Sequence, residues 1–473
     1  MALSAVYLLA PEIGLVAVIL LILSADLFGK RDPSALIEGS IISSLLIFAV
    51  LFFLWPTSGE ALHGMFQLNP LAIFLKGIFL GSCTLTLWMA RELSETFKNR
   101  LSDFALLILM ATLGAFFLAS ANDLITLFIT IEWITISLYV LTAYLKTDKY
   151  ALEAGTKYLI MGAFSSAFFL YGISLVYGTA GSIHFDHVRE WLLHHPPTPL
   201  FLVGFLLILS GIGFKIAAFP FQLWVPDVYQ GAPTPVTAFL SVTSKTAGFA
   251  ALLKVLFLVT GPDRLNWTFL LSLLSALTLT YGNLGALGQT NMKRLFAYSS
   301  IGHAGYLLMG IASGVRFGIE ATLFYLAAYA ISNLTAFLVI VIVNRELGSG
   351  EIVDYRGLAK KEPFIAGVFF VALLSLSGIP PLVGFFGKFL VLQAAVVRGY
   401  LWLALLGAVN VIISLYYYLS IIKEMYFKQG EGEIKIGGAT RVLLFFLALG
   451  IIGLGIFQEP ILYLAKSSAL TLF

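Results

Sequence analysis

Run after run of apolar residues crosses this sequence, as in IISSLLIFAVLFFLW and ATLFYLAAYAISNLTAFLVIVIV. A helix needs about 20 such residues to cross the roughly 30 Å hydrocarbon layer of a membrane. About fourteen segments of that length lie between residues 5 and 458. The one near 364–397 is too long for one straight crossing and is expected to break. The runs are continuous rather than alternating, which argues for helices and against a membrane barrel. The fold class read here is an all-α membrane protein. Only 11% of the 473 residues are charged and 59% are hydrophobic. Soluble domains carry about 25% charge, so a water-soluble enzyme is excluded; disorder needs low hydrophobicity and is excluded too.

The basic residues sort by loop. Connections after odd-numbered segments hold Lys30 and Arg31, then Arg91, Lys98 and Arg100, then Lys146 and Lys149, Lys293 and Arg294, Arg345, Arg356, Lys360 and Lys361, and finally Lys423, Lys428, Lys435 and Arg441. Connections after even-numbered segments hold little beyond Arg189, Arg264, Arg316 and Arg398, and the one exception among the odd connections is that after segment seven, which has no basic residue. Cytoplasmic loops carry the excess of Lys and Arg, so the odd loops face the cytoplasm and both termini lie outside. The start, MALSAVYLLA, lacks the basic stretch of a cleaved signal. The polar connections are too short to hold a soluble core, so 1–473 is expected to form one polytopic membrane domain.

A net charge of +3 on few, scattered basic residues leaves no nucleic-acid footprint. The single cysteine, Cys83, can build neither a disulfide within the chain nor an iron–sulfur or zinc site. No dinucleotide fingerprint or phosphate loop is present. If the chain serves a redox enzyme, it is not expected to hold the redox centres.

Charge at membrane depth is costly, which makes each buried ion a candidate for function. Glu132 sits in ITLFITIEWITISLYVL, too far from either end to reach water. Lys215 lies in SGIGFKIAAFPFQLW, ahead of Pro220, whose ring removes a backbone donor. Irregular backbone at membrane depth is tolerated only in a protein interior or a wet cavity. Lys388 repeats that arrangement in SGIPPLVGFFGKF, after Pro380 and Pro381. Paired interrupted segments in two halves of a chain point to a transport site. Lys245 follows Thr243 and Ser244, whose hydroxyls can carry a water chain. Lys254 is half a turn off the Lys245 face at 100° per residue, so it is expected to reach outward, with a relay role as the alternative. Lys157 has Glu153 one turn earlier and reads equally as a relay member or a surface ion pair. His303, in YSSIGHAGYLL, titrates near neutral pH and suits either a relay or packing. Glu12 and Lys76 lie nearer helix ends and read as structural, and Asp227 as an anchor of its proline-rich bend.

These motifs carry a resemblance. IEWITISLYVL, GIGFKIAAFPFQLWVPDVYQGAPTPVTAFLSVTSK, NMKRLFAYSSIGHAGYLL and SGIPPLVGFFGKF resemble the antiporter-like membrane subunits of respiratory complex I over nearly the whole chain. A lysine at 388 is similar to the N-type branch of that family, where the M-type branch has a glutamate. The length agrees, since no residues are left for the long lateral helix of the L-type branch. The resemblance implies two inverted five-helix repeats, about 103–260 and about 265–424, with helices seven and twelve broken. It implies a proton path along the membrane midplane through Glu132, Lys215, Lys245 and Lys388. It implies a non-redox subunit of a proton translocase in a bacterial inner membrane. NAD, FMN, iron–sulfur clusters and quinone would then be held by partner subunits, with M-type and K/J-type membrane subunits as neighbours. A multisubunit cation/proton antiporter, the membrane arm of a hydrogenase-type complex and a plain membrane scaffold are the other readings.

Overall fold

In a bilayer the backbone must satisfy its own hydrogen bonds, and an apolar run does so as a helix. The computed structural model of the chain, which describes residues 6–28, 33–97, 100–261, 265–348, 350–430 and 432–473, follows that rule. Lys30, Arg31, Lys98 and Arg264, used above for the charge pattern, lie outside the described residues. The first helices are α1 Ala10–Phe28, α2 Pro33–Phe53, α3 Pro70–Glu92, α4 Leu101–Ser120, α5 Leu124–Thr142 and α6 Lys149–Ala180. The short amphipathic α7 Phe185–His194 then leads to α8 Pro199–Ile216, α9 Trp224–Gly231 and α10 Thr234–Thr260. The chain continues with α11 Thr268–Ala286, α12 Met292–Ala312, α13 Arg316–Leu347, α14 Pro363–Ser377, α15 Val383–Val397, α16 Leu401–Phe427, α17 Gly438–Ile456 and α18 Glu459–Ala469. Among the described residues 13 helices are long and apolar enough to cross a membrane, and α14 and α15 are shorter apolar helices. A two-stranded ribbon, Gly59–Ala61 with Phe66–Leu68, precedes α3.

Polar side chains mark where helices begin. Asn69 accepts from the Ala72 amide ahead of α3, and Asp123 from the Thr126 amide ahead of α5. Each satisfies a donor that a helix start leaves open. Two helices end a few residues ahead of prolines. α8 stops at Ile216 and Ala217 takes a left-handed φ of 61° ahead of Pro220. α14 stops at Ser377 and Gly378 takes φ 89° ahead of Pro380 and Pro381. Side chains take up freed backbone donors: Phe219 N–H donates to Thr278 Oγ1 at 3.0 Å, and Gly384 N–H to Ser375 Oγ at 3.1 Å. Sequence patterning did not signal that α10 widens into π-helical turns at Leu240–Ser244 and Lys254–Thr260. Lys245 follows the first of these and Lys254 opens the second.

The contacts divide the chain into two compact units. One comprises residues 1–216, 243–266 and 467–473, the other 217–242 and 267–466. This is a division by contacts, in which 217–242 groups with the second unit, and it is separate from the repeats that the resemblance implies. In the first unit α4 is central, packed by α1, α2, α3, α5 and the 245–253 part of α10. In the second, α13 is the buried helix, packed by α12, α14, α15, α17 and residues 234–239. Leu20, Leu21, Phe52, Phe53, Leu405, Ile412 and Phe446 are exposed apolar residues on outer helices, the surface that a lipid solvent accepts.

Candidate functional site

In the first unit the buried charges meet on three helices. Glu132 lies eight residues into α5, near its middle, and Thr135 lies on the same face one turn later. Ser166 of α6 donates to Glu132 Oε1 at 2.7 Å. Lys215, in the last turn of α8, places Nζ 3.5 Å from Glu132 Oε1 and 2.7 Å from Thr135 Oγ1. The Thr135 hydroxyl spends its own proton on the Ile131 carbonyl, so its oxygen is oriented to accept from the lysine. A closed ammonium–carboxylate hydrogen bond spans about 2.7–2.9 Å. At 3.5 Å the Glu132–Lys215 pair is therefore loosened, with Thr135 as the ammonium's nearer acceptor. The Lys215 side chain is 4% exposed and that of Glu132 20%.

Lys245 is buried. Gly248 shares its helix face one turn on and packs against the end of α8: a Cβ there would stand 3.2 Å from Lys215 Cβ and 2.7 Å from Ile216 Cγ2. The face of α10 that bears Lys245 is thus pressed against the turn that bears Lys215. Lys254 does not reach outward, as the half-turn offset led us to expect. It is 3% exposed and donates to the Ala121 carbonyl at 2.6 Å. The residues that follow it, Val255, Leu256 and Phe257, are fully buried as well, so the lysine sits in an interior part of α10. Lys157 and Glu153 form their i, i+4 pair at 2.8 Å with both side chains substantially exposed, apart from the buried set. Glu12 and Lys76 pair at 2.6 Å in full burial, a contact that sequence reasoning missed.

In the second unit Lys388 reaches back across the interruption between α14 and α15. Its Nζ donates to the Ser377 carbonyl at 2.9 Å and to Ser414 Oγ at 3.3 Å, and stands 5.0 Å from the Tyr306 ring centroid. A cation suits the carbonyl end of a helix, where the dipole is negative. His303 Nδ1 lies 2.6 Å from Tyr325 Oη and Nε2 3.3 Å from Tyr418 Oη, and Tyr418 hydrogen-bonds Ser299. Beside it, Tyr417 donates to Asn283, and Asn283 to Asn410. The tyrosines, Asn283 and Asn410 escaped the sequence reading. The available signal was polar residues in apolar helices, but helical spacing alone does not say which of them share an interior. Asp227 holds Arg294 at 2.8 Å, in keeping with an anchoring role at its bend.

No group of three or more His, Cys, Asp or Glu among the described residues is placed to hold a metal ion. What each unit offers is buried amines and hydroxyls, with an imidazole in the second; Lys215, Lys254, Lys388 and His303 are hydrogen-bonded to other polar groups. Such groups exchange protons.

A family profile described as "NADH:quinone oxidoreductase/Mrp antiporter, TM" matches residues 121–414. The chain belongs to that family. The match spans Glu132, Lys215, Lys245, His303 and Lys388 and leaves out Glu12 and Lys76. NADH-quinone oxidoreductase subunit N 2 of Chloroherpeton thalassium is 38% identical over 97% of this chain and 93% of its own length. Among solved structures, a chain of respiratory complex I from Thermus thermophilus is 32% identical, with TM-score 0.83, covering 96% of this chain and 99% of that one. A chain of an archaeal membrane-bound sulfane sulfur reductase is 28% identical, with TM-score 0.88, covering 100% of this chain and 98% of that one.

Proposed function

We propose that this chain is a proton-translocating membrane-arm subunit of an NADH:quinone oxidoreductase and moves protons through buried side chains while electrons travel in other subunits. The curated relatives support the complex, and the loosened Glu132–Lys215 pair carries the mechanism. A lysine in water holds its proton at neutral pH. Inside the protein, desolvation opposes the charged amine and a close carboxylate supports it. With Glu132 near, Lys215 keeps its proton; with Glu132 withdrawn, the proton leaves toward Lys245. Thr135 accepts from the ammonium at 2.7 Å and so gives Lys215 a partner while the pair opens.

The energies match. Releasing a lysine proton near pH 7 takes about 4 kcal/mol relative to water, and moving one charge against 100 mV takes about 2.3 kcal/mol. Opening one buried ion pair is a sufficient gate. From Lys245 the proposed path continues to Lys388 in the second unit, an order supported by the family resemblance. His303 and its tyrosines are the companions of Lys388 within that unit. Lys157 with Glu153, exposed as they are, belong to the edge of the scheme.

The redox groups, NAD, FMN, iron–sulfur clusters and quinone, belong in this proposal to partner subunits, with M-type and K/J-type membrane subunits as neighbours. The location is a bacterial inner membrane with both termini outside. The sulfane sulfur reductase likeness keeps a related respiratory complex as the second reading; co-purification with an NADH-oxidising or a sulfur-reducing subunit separates the two. The test of mechanism is Lys215→Ala in the assembled complex. It should lose NADH-driven proton pumping in membrane vesicles while the complex still assembles. Normal pumping would reject the assignment.

A further inference from the structure

We propose that Glu12, Lys76 and Lys254 form a further proton-binding station in the first unit, between Lys245 and the membrane face at which α4 ends. This rests on the proton-translocating reading above. All three residues are buried, at 1%, 0% and 3% exposure, and the function derived so far uses none of them.

The geometry ties them together. Lys76 Nζ lies 2.6 Å from Glu12 Oε1 and 4.9 Å from the Phe66 ring centroid. Phe66 is backbone-bridged to Ala121, and the Ala121 carbonyl accepts from Lys254 at 2.6 Å. Lys254 is within electrostatic reach of Lys76. At 1.5 Å per residue, Lys245 lies about 22 Å and Lys254 about 9 Å from the Thr260 end of α10, and Lys76 lies about 9 Å from the Pro70 end of α3. Along α10, Lys254 therefore lies in the outer two-fifths of the stretch from Lys245 to Thr260, on a branch toward that face beside the onward path to Lys388.

The Glu12–Lys76 pair is closed at 2.6 Å, and the second carboxylate oxygen, Glu12 Oε2, is buried without a hydrogen-bond partner. Hydroxyls at graded depth are also unpartnered: Thr243 beside Lys245, Thr86 and Ser82 along α3, and Ser120 beside Ala121. Helix α3 packs on the 245–253 part of α10. Buried polar groups without protein partners are sites for ordered water, and water at these depths would join Lys245 to the cluster.

The step balances. The station rests as Glu12 carboxylate and Lys76 ammonium. A proton arriving by way of Lys254 neutralises Glu12. Lys76, without its counter-charge, releases a proton to water at the face. Glu12 then passes its proton to the Lys76 amine and the ion pair returns. One proton enters and one leaves.

The experiment compares variants of the whole complex in inverted membrane vesicles, reading protons moved per NADH oxidised. Removing one member of a buried pair strands the other charge and destabilises, whereas replacing both is tolerated. The double variant Glu12→Gln/Lys76→Met separates bracing from proton binding. Lys254→Gln keeps a donor for the Ala121 carbonyl without a titrating amine, and decides the matter where the double variant does not assemble. The expected result is assembled complex that oxidises NADH but pumps at the level of Lys215→Ala. Full pumping by the cluster variants, with Lys215→Ala deficient, overturns the station alone. Full pumping by Lys215→Ala overturns the underlying functional reading, and the station with it.

Discussion

The ammonium of Lys215 has two partners on one face of α5, and their unequal distances decide how it can act. Thr135 at 2.7 Å is the contact and Glu132 at 3.5 Å the counter-charge. Thr135→Val keeps the shape and removes the oxygen. A buried donor left without its acceptor costs about 1–3 kcal/mol, so Lys215 should close on Glu132 and hold its proton. Pumping should fall several-fold in Thr135→Val and recover in Thr135→Ser; equal pumping by the two variants would remove Thr135 from the gate. The ions themselves were legible, because charges in apolar runs are few. The pairing of Glu132 with Lys215 came with the resemblance, which puts both on one path. Thr135 did not: spacing places it on the Glu132 face, but helical spacing does not say that the Lys215 amine reaches it. Glu12 and Lys76 were read as structural because both lie near helix ends; only packing shows them fully buried together.

At the scale of elements, α8 and α10 owe their contact to a missing side chain. Gly248 lets α10 approach the turn that holds Lys215, and a Cβ at that position would stand 2.7 Å from Ile216 Cγ2. Gly248→Ala should therefore force the helices apart. Overpacking of this kind costs about 1–3 kcal/mol, read as a lower melting temperature of the complex, and the shifted Lys245 face should reduce pumping. Gly178→Ala on α6 is the control, since its Cβ would meet nothing within 4 Å. Alanine is there the better helix former, by roughly 0.5–1 kcal/mol, so that variant should be neutral or slightly stabilising. If both variants behave alike, the close approach does not matter. The interruptions in α8 and between α14 and α15 were legible because proline cannot donate. The π-helical turns beside Lys245 and Lys254 were not, since no proline or glycine pattern within those turns marks them.

For the whole molecule, about fourteen segments were expected, and 13 helices among the described residues are long and apolar enough to cross; the class of fold was legible because the membrane imposes it segment by segment. The division into two units was not, because α10 is one continuous apolar run whose two parts group with different neighbours. The sidedness is a separate inference, drawn from basic residues alone, and it can be tested alone. Positive residues resist transfer across the membrane, so loops rich in Lys and Arg stay in the cytoplasm. Lys146 lies in such a loop, between α5 and α6, and is exposed; His195 lies in the opposite set, after α7, and is exposed as well. The single native cysteine, Cys83, is buried, which leaves a low background for thiol labelling. A membrane-impermeant maleimide applied to intact cells should label His195→Cys, and should label Lys146→Cys only after the membrane is opened. The reverse pattern would invert the chain in the membrane. It would turn the face near Ala121 toward the cytoplasm, and make the Glu12, Lys76 and Lys254 cluster a point of proton entry rather than exit.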